Sequence, residues 1–336
     1  MVPLGRPVAF LLFVSLAAPT FCQQPAQWPV QWRDPSPHTT RYIEVEKGIR
    51  LEVLDWGGSG RPLVLLAGGG YTAHVYDDFA PKLTSRYHVY GITRRGFGAS
   101  GFSATSYGAD RLGDDVVAVI DALKLNRPVL VGHSLAGEEM SSVANRHPDR
   151  IAGLVYIDAA YPYAFDNGTG PSFKELAQLH GPQAPPPGKD DLASFSALEK
   201  YYVRTDGFPY PEAELRQQWD AGPDGRVLKG HDFPGSAKLL DGMEKYTSIP
   251  APALVIFANP HSLGTWIDHT TDAKLRAEAA TYSTALSALV ERQENAVRNG
   301  VPSAKVITIA GANHSVFLSN EADVLRDLRA FVAGLP

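Results

Sequence analysis

The sequence predicts an α/β fold in which a mostly parallel central sheet carries helices on both faces and an inserted helical cap. Three observations carry this expectation. Between residues 62 and 158, short continuous apolar runs alternate with helical periodicity. From 161 to 249 the alternation stops, and Gly, Pro and aromatic residues become dense. From 250 onward, strand and helix patterns resume. The chain has 336 residues, 44% of them hydrophobic, which is enough for a sizeable core.

Residues 1–22 stand apart from the rest. Arg6 precedes an apolar run from Val8 to Ala18, broken only by Ser15, and small and polar residues follow up to Cys22. This is the layout of a secretory signal peptide, with cleavage expected near Cys22–Gln23. The run is shorter than the roughly 20 residues a bilayer span needs. An uncleaved anchor is the alternative. Lipid attachment at Cys22 is disfavoured by bulky Phe21. The protein is therefore expected to be secreted or periplasmic, with no stable membrane insertion of the mature chain. Cys22 is the only cysteine, so the mature protein has no thiol chemistry, disulfide or Cys-ligated metal.

Residues 23–40, rich in Gln, Pro and Thr, read as a linker, and a first core part spans 41–160. Arg41 to Asp55 alternates apolar and polar residues around Lys47-Gly48, a β-hairpin signature. Pro62–Ala67 is a continuous apolar run that suits a strand buried on both faces, and three glycines follow it. Tyr87–Thr93 is the next strand, and Arg94–Ser100 a turn-rich loop. Leu112, Val116, Val119, Ile120 and Leu123 fall at helical spacing. Pro128–Val131 is a strand, Gly132–Gly137 opens a helix running to about His147, and Ile151–Ile157 is a buried strand ending at Asp158. Residues 62–158 thus read strand, helix, strand, helix, strand, helix, strand.

The cap is assigned to 161–249, with helical pieces near 190–202 and 211–219. The second core part is 250–336: a strand at 251–257, a long Ala- and charge-rich helix at 270–298, a strand at 305–310, the loop Gly311-Ala312-Asn313-His314, and an amphipathic helix at 322–332. Net charge is −5, and basic residues do not cluster, so nucleic acid is not an expected partner. The sequence carries no signal for oligomeric state.

The chemistry centres on Gly132-His133-Ser134-Leu135-Ala136-Gly137. A serine on a tight strand-to-helix turn needs small neighbours two positions away, because bulkier ones would clash. Its hydroxyl is then exposed at a helix N-terminus, where the dipole favours negative charge. A serine hydroxyl is a poor nucleophile until a base takes its proton. His314 is the natural base: it follows the last strand, and parallel strands all end on one sheet edge. An oxyanion hole requires two backbone N–H donors; Leu135 supplies one, and Gly69 in the Gly68–Gly70 loop is the expected second.

These motifs, with Arg95–Ser100 and Arg146-His147-Pro148-Asp149-Arg150, make the chain from about residue 41 resemble the α/β-hydrolase superfamily, of the serine esterase or lactonase kind. The resemblance implies the α/β-hydrolase fold and a Ser–His–acid triad. In many relatives the acid follows the strand at 252–257, but Ala258-Asn259-Pro260-His261 offers no carboxylate there. Some lipase-like and lactonase-like relatives carry the acid one strand earlier, which favours Asp158; Asp268 is the alternative. The histidine usual before the glycine loop is replaced by Ala67, so the loop must draw support from elsewhere.

Gly70, Tyr71 and His133 are the expected substrate contacts; Tyr71, His74 and Tyr76 either line the pocket or are surface aromatics at the start of a helix. Arg95 and Gly98 read as structural. Glu138 and Glu139 are either first-turn carboxylates complementing the helix dipole or semi-buried groups of raised pKa beside the site. The expected reaction is two-step hydrolysis of a carboxylic ester or lactone, with no metal or organic cofactor and a small-molecule substrate. The cap aromatics Tyr161, Tyr163, Phe165, Phe195, Tyr201, Tyr202, Phe208, Tyr210 and Trp219 point to an apolar or aromatic substrate, unless they form the cap's own core. A proline iminopeptidase-like activity, using Glu199, Asp206, Glu212 or Glu214 to hold an amine, and a non-catalytic ligand-binding homologue are the alternatives.

Overall fold

The computed structural model describes residues 32–105 and 107–336. The signal segment, 1–22, and the first part of the 23–40 linker lie outside the described residues. The chain begins with an antiparallel hairpin, β1 (Thr39–Glu46) and β2 (Ile49–Gly57), turned at Lys47-Gly48 with Gly48 at φ 80°. Then come β3 (Pro62–Leu66), β4 (His88–Ile92), α1 (Ala109–Ala122), β5 (Val129–His133), α2 (Ala136–Arg146) and β6 (Gly153–Ile157). The stretch from 161 to 249 holds α3 (Phe173–Ala177), α4 (Phe195–Asp206), α5 (Glu212–Gln218) and a small antiparallel pair, β7 (Trp219–Ala221) and β8 (Val227–Gly230). The chain closes with β9 (Ala253–Ala258), α6 (Thr265–Asp268), α7 (Ala273–Gly300), β10 (Ala304–Ile309), α8 (Val316–Ser319) and α9 (Glu321–Ala333).

One expected element is replaced. No α-helix joins β3 to β4; two 3-10 turns, Ala73–Tyr76 and Ala80–Leu83, take its place. Thr72 caps the first turn by accepting from His74 N–H, and Pro81 sits in the second, where it cannot donate to a longer helix.

The main sheet runs β1-β2-β4-β3-β5-β6-β9-β10. From β4 to β10 all neighbours are parallel; the hairpin is antiparallel at one edge. Strand residues alternate between the two faces. Leu63, Leu65, Val129, Val131 and Ile256 pack with Tyr76, Phe317 and α9 residues Val324 and Leu328. Val64, Leu66, Leu130, Tyr156 and Phe257 pack with Val116 and Val119 of α1, Met140 of α2 and Val290 and Val297 of α7. Chain order reverses around β3, with β4 on one side and β5 on the other. In open parallel sheets, ligands bind at such a switch point, beyond the carboxyl ends of the strands. Among the described residues no helix is long and apolar enough to cross a membrane.

Candidate active site

Ser134 stands between β5 and α2 with φ 51°, a left-handed conformation rare for a non-glycine residue. Packing holds it there. Ser134 N–H donates to Ile157 O, and Gly137 N–H donates to Ser134 O. A Cβ at Gly132 would lie 2.2 Å from Met140 Sδ, and one at Gly137 would lie 2.0 Å from Ala159 O. Both glycines are therefore demanded by close approach of the strand, the helix and the segment after β6.

The side chains converge as the strand order requires. His314 Nε2 lies 2.8 Å from Ser134 Oγ, and His314 Nδ1 lies 2.6 Å from Asp158 Oδ2. With Nδ1–H given to the carboxylate, Nε2 is left to accept the serine proton. Asp158 is fully buried and itself holds φ 46°. Its Oδ1 accepts from Tyr161 O–H and Ala258 N–H, at 2.9 and 3.1 Å. Its Oδ2 also takes His261 Nε2, at 2.6 Å. Burial opposes ionisation of Asp158, yet the two imidazoles and their hydrogen bonds hold its carboxyl far below the ordinary range. Burial likewise opposes a charged His261, but the charge and hydrogen bond of Asp158 outweigh it and raise the ring above its ordinary pKa. His261 occupies the position after β9 where the family resemblance implies the acid. It serves the acid as a donor instead, a role that only the folded geometry discloses. Asp268 is exposed at the end of α6. The donor atoms of Asp158, His261 and His314 lie within 4.8 Å of one another, but they are already spent on one another.

The glycine loop after β3 passes over the serine. A Cβ at Gly68 would lie 3.0 Å from Ser134 Cβ, and one at Gly69 would lie 2.7 Å from Leu135 Cδ1. Among the described residues neither Gly69 N–H nor Leu135 N–H is engaged in a hydrogen bond. The support missing at Ala67 comes from two directions. Arg94 donates to Ala67 O at 2.9 Å and is itself held by Glu139 at 3.0 Å. From α5, buried Glu214 accepts from Thr72 N–H and Thr72 O–H, and Gln218 donates to Gly70 O. Glu139 thus acts through Arg94. Glu138 is different: both its oxygens are buried without a partner, and burial, with a smaller push from Glu139, raises its pKa to about 7 against the pull of Arg94.

The sequence matches the profile of the Alpha/beta hydrolase family over residues 63–328. The chain belongs to the alpha/beta hydrolase family. Among curated proteins, this hydrolase is similar to the 2-hydroxymuconate semialdehyde hydrolase of Pseudomonas sp. (strain CF600), with 33% identity over 43% of this chain and 54% of that one. It is also similar to the non-heme haloperoxidase of Rhodococcus erythropolis, with 24% identity over 87% of this chain and 98% of that one. The chain spans between about a third and a half of the length of the curated relatives that it matches at 30% identity or more. Among solved structures, that of E-2-(acetamidomethylene)succinate hydrolase superposes with a TM-score of 0.60 at 19% identity, covering 88% of this chain and all (100%) of that one.

Other residues of this alpha/beta hydrolase fall partly elsewhere than expected. His133 does not face substrate. It is buried, donates from Nε2 to His314 O at 3.0 Å, and packs against His314 and Phe317. Burial, reinforced by His314, lowers its pKa to about 3, so it is a neutral support beneath the base. Tyr76 is in the core with its hydroxyl on Leu66 O, and His74 is buried against Asp77, so neither lines a pocket. Tyr71 lies over His133 and bonds Tyr210 O–H. Arg95 is buried on Asp115, as its structural reading requires. Most of the aromatics after residue 160 are core: Phe195, Tyr201, Phe208 and Tyr210 are buried among one another and the sheet. Tyr161, Tyr163 and Phe165 are buried in the core on the opposite face of the sheet. Tyr202 and Trp219 remain at the surface of a cleft of about 290 Å³ that adjoins Gly70. Of the carboxylates considered for holding an amine, Glu214 is spent on Thr72 and Glu212 on Arg216.

Proposed function

We propose that this hydrolase cleaves a carboxylic ester or lactone of an aromatic or apolar small molecule through an acyl-enzyme intermediate. The observation that supports this most is the unbroken line from Ser134 Oγ through His314 to Asp158, ending beside two unengaged amide donors. Ser134 attacks the carbonyl carbon as its proton passes to His314 Nε2. Asp158 holds the His314 tautomer and stabilises the imidazolium. Leu135 and Gly69 N–H groups receive the developing oxyanion. His314 then protonates the leaving alkoxide, and water attacks the acyl-enzyme by the same route in reverse. In a lactone the alkoxide stays tethered to the acyl group. None of these steps calls for a metal or an organic cofactor.

The cleft beside Gly70 supports the substrate class. Tyr202, Trp219 and Phe233 line it together with Gln218, His231 and Asp232, a lining suited to an aromatic ring that carries polar substituents. The test is a panel of short and aryl nitrophenyl esters, lactones and proline-naphthylamide. Turnover of aryl esters or lactones, lost in Ser134→Ala, is the expected result. Turnover of the naphthylamide alone would replace this reading with an aminopeptidase. We further propose that the protein is exported, because residues 1–22 have the layout of a signal peptide. N-terminal sequencing of the protein recovered outside the cytoplasm is expected to start near Gln23.

A further inference from the structure

Away from the active site, two imidazoles and two aspartates meet in a compact cluster. Asp34 and His38 lie in the segment before β1. His74 lies in the 3-10 turn after β3, and Asp77 closes that turn. One donor atom from each of the four lies within 4.8 Å of every other. Asp34 Oδ2 is 3.7 Å from His38 Nε2 and 3.4 Å from His74 Nδ1, and His74 Nδ1 is 3.0 Å from Asp77 Oδ2. A tetrahedral site with bonds of about 2.0 Å has ligand–ligand edges of roughly 3.3 Å, and these separations bracket that value.

Hydrogen bonding alone leaves the arrangement incomplete. His74 Nδ1 faces two carboxylate oxygens, and a single N–H cannot point at both. The 3.7 Å pair is too long for a hydrogen bond but is ordinary for two ligands of one ion. The surrounding groups are those that orient metal ligands. His38 Nδ1 is 2.9 Å from Asp77 Oδ1, which leaves its Nε2 free to coordinate. His74 Nε2 faces Glu52 Oε1 at 3.6 Å, and Glu52 is in turn fixed by Thr93 O–H. Trp56 Nε1–H donates to Asp77 Oδ1, and Ser36 N–H to Asp34 Oδ1. The side chains of His38, His74 and Asp77 are 5%, 7% and 1% exposed, and that of Asp34 is 23% exposed, which leaves one side open for an ion to enter.

We infer that Asp34, His38, His74 and Asp77 form a divalent-metal site, suited by its two nitrogens and two oxygens to zinc, that pins the segment before β1 to the turn following the Gly68–Gly70 loop. Calcium and magnesium prefer all-oxygen sets. The role is structural: the four ligands close the coordination sphere, and Thr72, the cap of the same turn, is the residue that Glu214 clamps. The spacings Asp34-x3-His38 and His74-x2-Asp77 fall on two separate segments, so no single sequence motif announces the site.

The test uses the whole purified chain, stripped with a chelator and titrated with zinc alone. Zinc content is read by elemental analysis and stability by thermal unfolding, and Co²⁺ is substituted to read the visible bands of tetrahedral geometry. One zinc per chain, a rise in Tm on adding it, and tetrahedral Co²⁺ bands are expected. Asp34→Asn and His38→Gln, on a segment peripheral to the sheet, are expected to weaken binding by at least about 100-fold, since changes to outer partners alone cost 10–100-fold. Their folding is checked by circular dichroism. His314→Ala is expected to bind zinc normally. Absence of zinc at saturating concentration with an unchanged Tm would overturn the site in favour of a proton-bridged His–Asp cluster. Binding that survives Asp34→Asn and His38→Gln but disappears in His314→Ala would overturn it in favour of an ion at Asp158.

Discussion

Ser134 and Asp158 each hold a positive φ, 51° and 46°, at the carboxyl ends of neighbouring strands β5 and β6. Left-handed backbone at a non-glycine residue costs of order 1–3 kcal/mol, and in both cases the side chain so aimed is the one that meets His314. Asp158→Asn keeps the shape but cannot hold the right imidazole tautomer, so kcat for ester hydrolysis is expected to fall about 10⁴-fold; steady-state kinetics with a chromogenic ester reads it, and a loss under tenfold would contradict the role. Glu138 gives a pH signature of its own. Its pKa is raised from 4.5 to about 7 in the folded chain, so the folded state holds this proton where the unfolded state has lost it. Its contribution to stability is therefore highest below pH 4.5 and falls as pH rises from there to 7. Glu138→Gln removes that dependence. Relative to the parent, the variant is expected to gain about 2 kcal/mol between pH 5 and pH 8. Urea midpoints at the two pH values read it, and an equal difference at both would refute it. The meeting of Ser134, His314 and Asp158 was legible because each sits at a strand end in a recognisable context. The part played by His261 was not, because its partner Asp158 lies 103 positions away with no local pattern linking them.

At the scale of the element, the turn from β5 into α2 is set by what touches it. A methyl at Gly137 would meet a backbone oxygen of the following segment rather than a yielding side chain. Gly137→Ala is therefore expected to cost at least about 3 kcal/mol, the upper end for overpacking; a denaturant midpoint within error of the parent would contradict it. The glycine loop opposite is held by the Glu139–Arg94 pair. Arg94→Met leaves Glu139 a buried, unpaired charge, and breaking such pairs costs about 3–5 kcal/mol. The double variant Arg94→Met/Glu139→Leu removes that charge and is expected to regain much of the stability. It still lacks the donor to Ala67 O, so kcat is expected to stay roughly tenfold or more below the parent, because misplacement of an oxyanion donor is felt in the transition state. Recovery of both stability and kcat would show that Arg94 has no part in placing the loop. Ala67 announced in the sequence that support had to come from elsewhere. Its source, an arginine 27 positions on and a glutamate from α5, depends on packing that periodicity does not encode.

Across the whole molecule, the sheet order explains why distant residues meet. The switch point at β3 places the glycine loop and the β5–α2 turn side by side, and β6 and β10 bring Asp158 and His314 to the same edge. Hydrophobic periodicity recovered the strands and long helices of this core because each buries one clear face. It failed between β3 and β4, where Thr72 and Pro81 direct short turns instead of a helix. The aromatic content of the insert left pocket and core both open; Phe195, Tyr201, Phe208 and Tyr210 are consumed in packing the insert onto the sheet. The central claim is that the Ser134 hydroxyl is activated by His314. Treating the protein with a fluorophosphonate and mapping the adduct by mass spectrometry tests it most directly. The account predicts one adduct per chain, located on Ser134 and abolished in both Ser134→Ala and His314→Ala. A chain that stays unlabelled while folded, or is labelled equally well without His314, would contradict it.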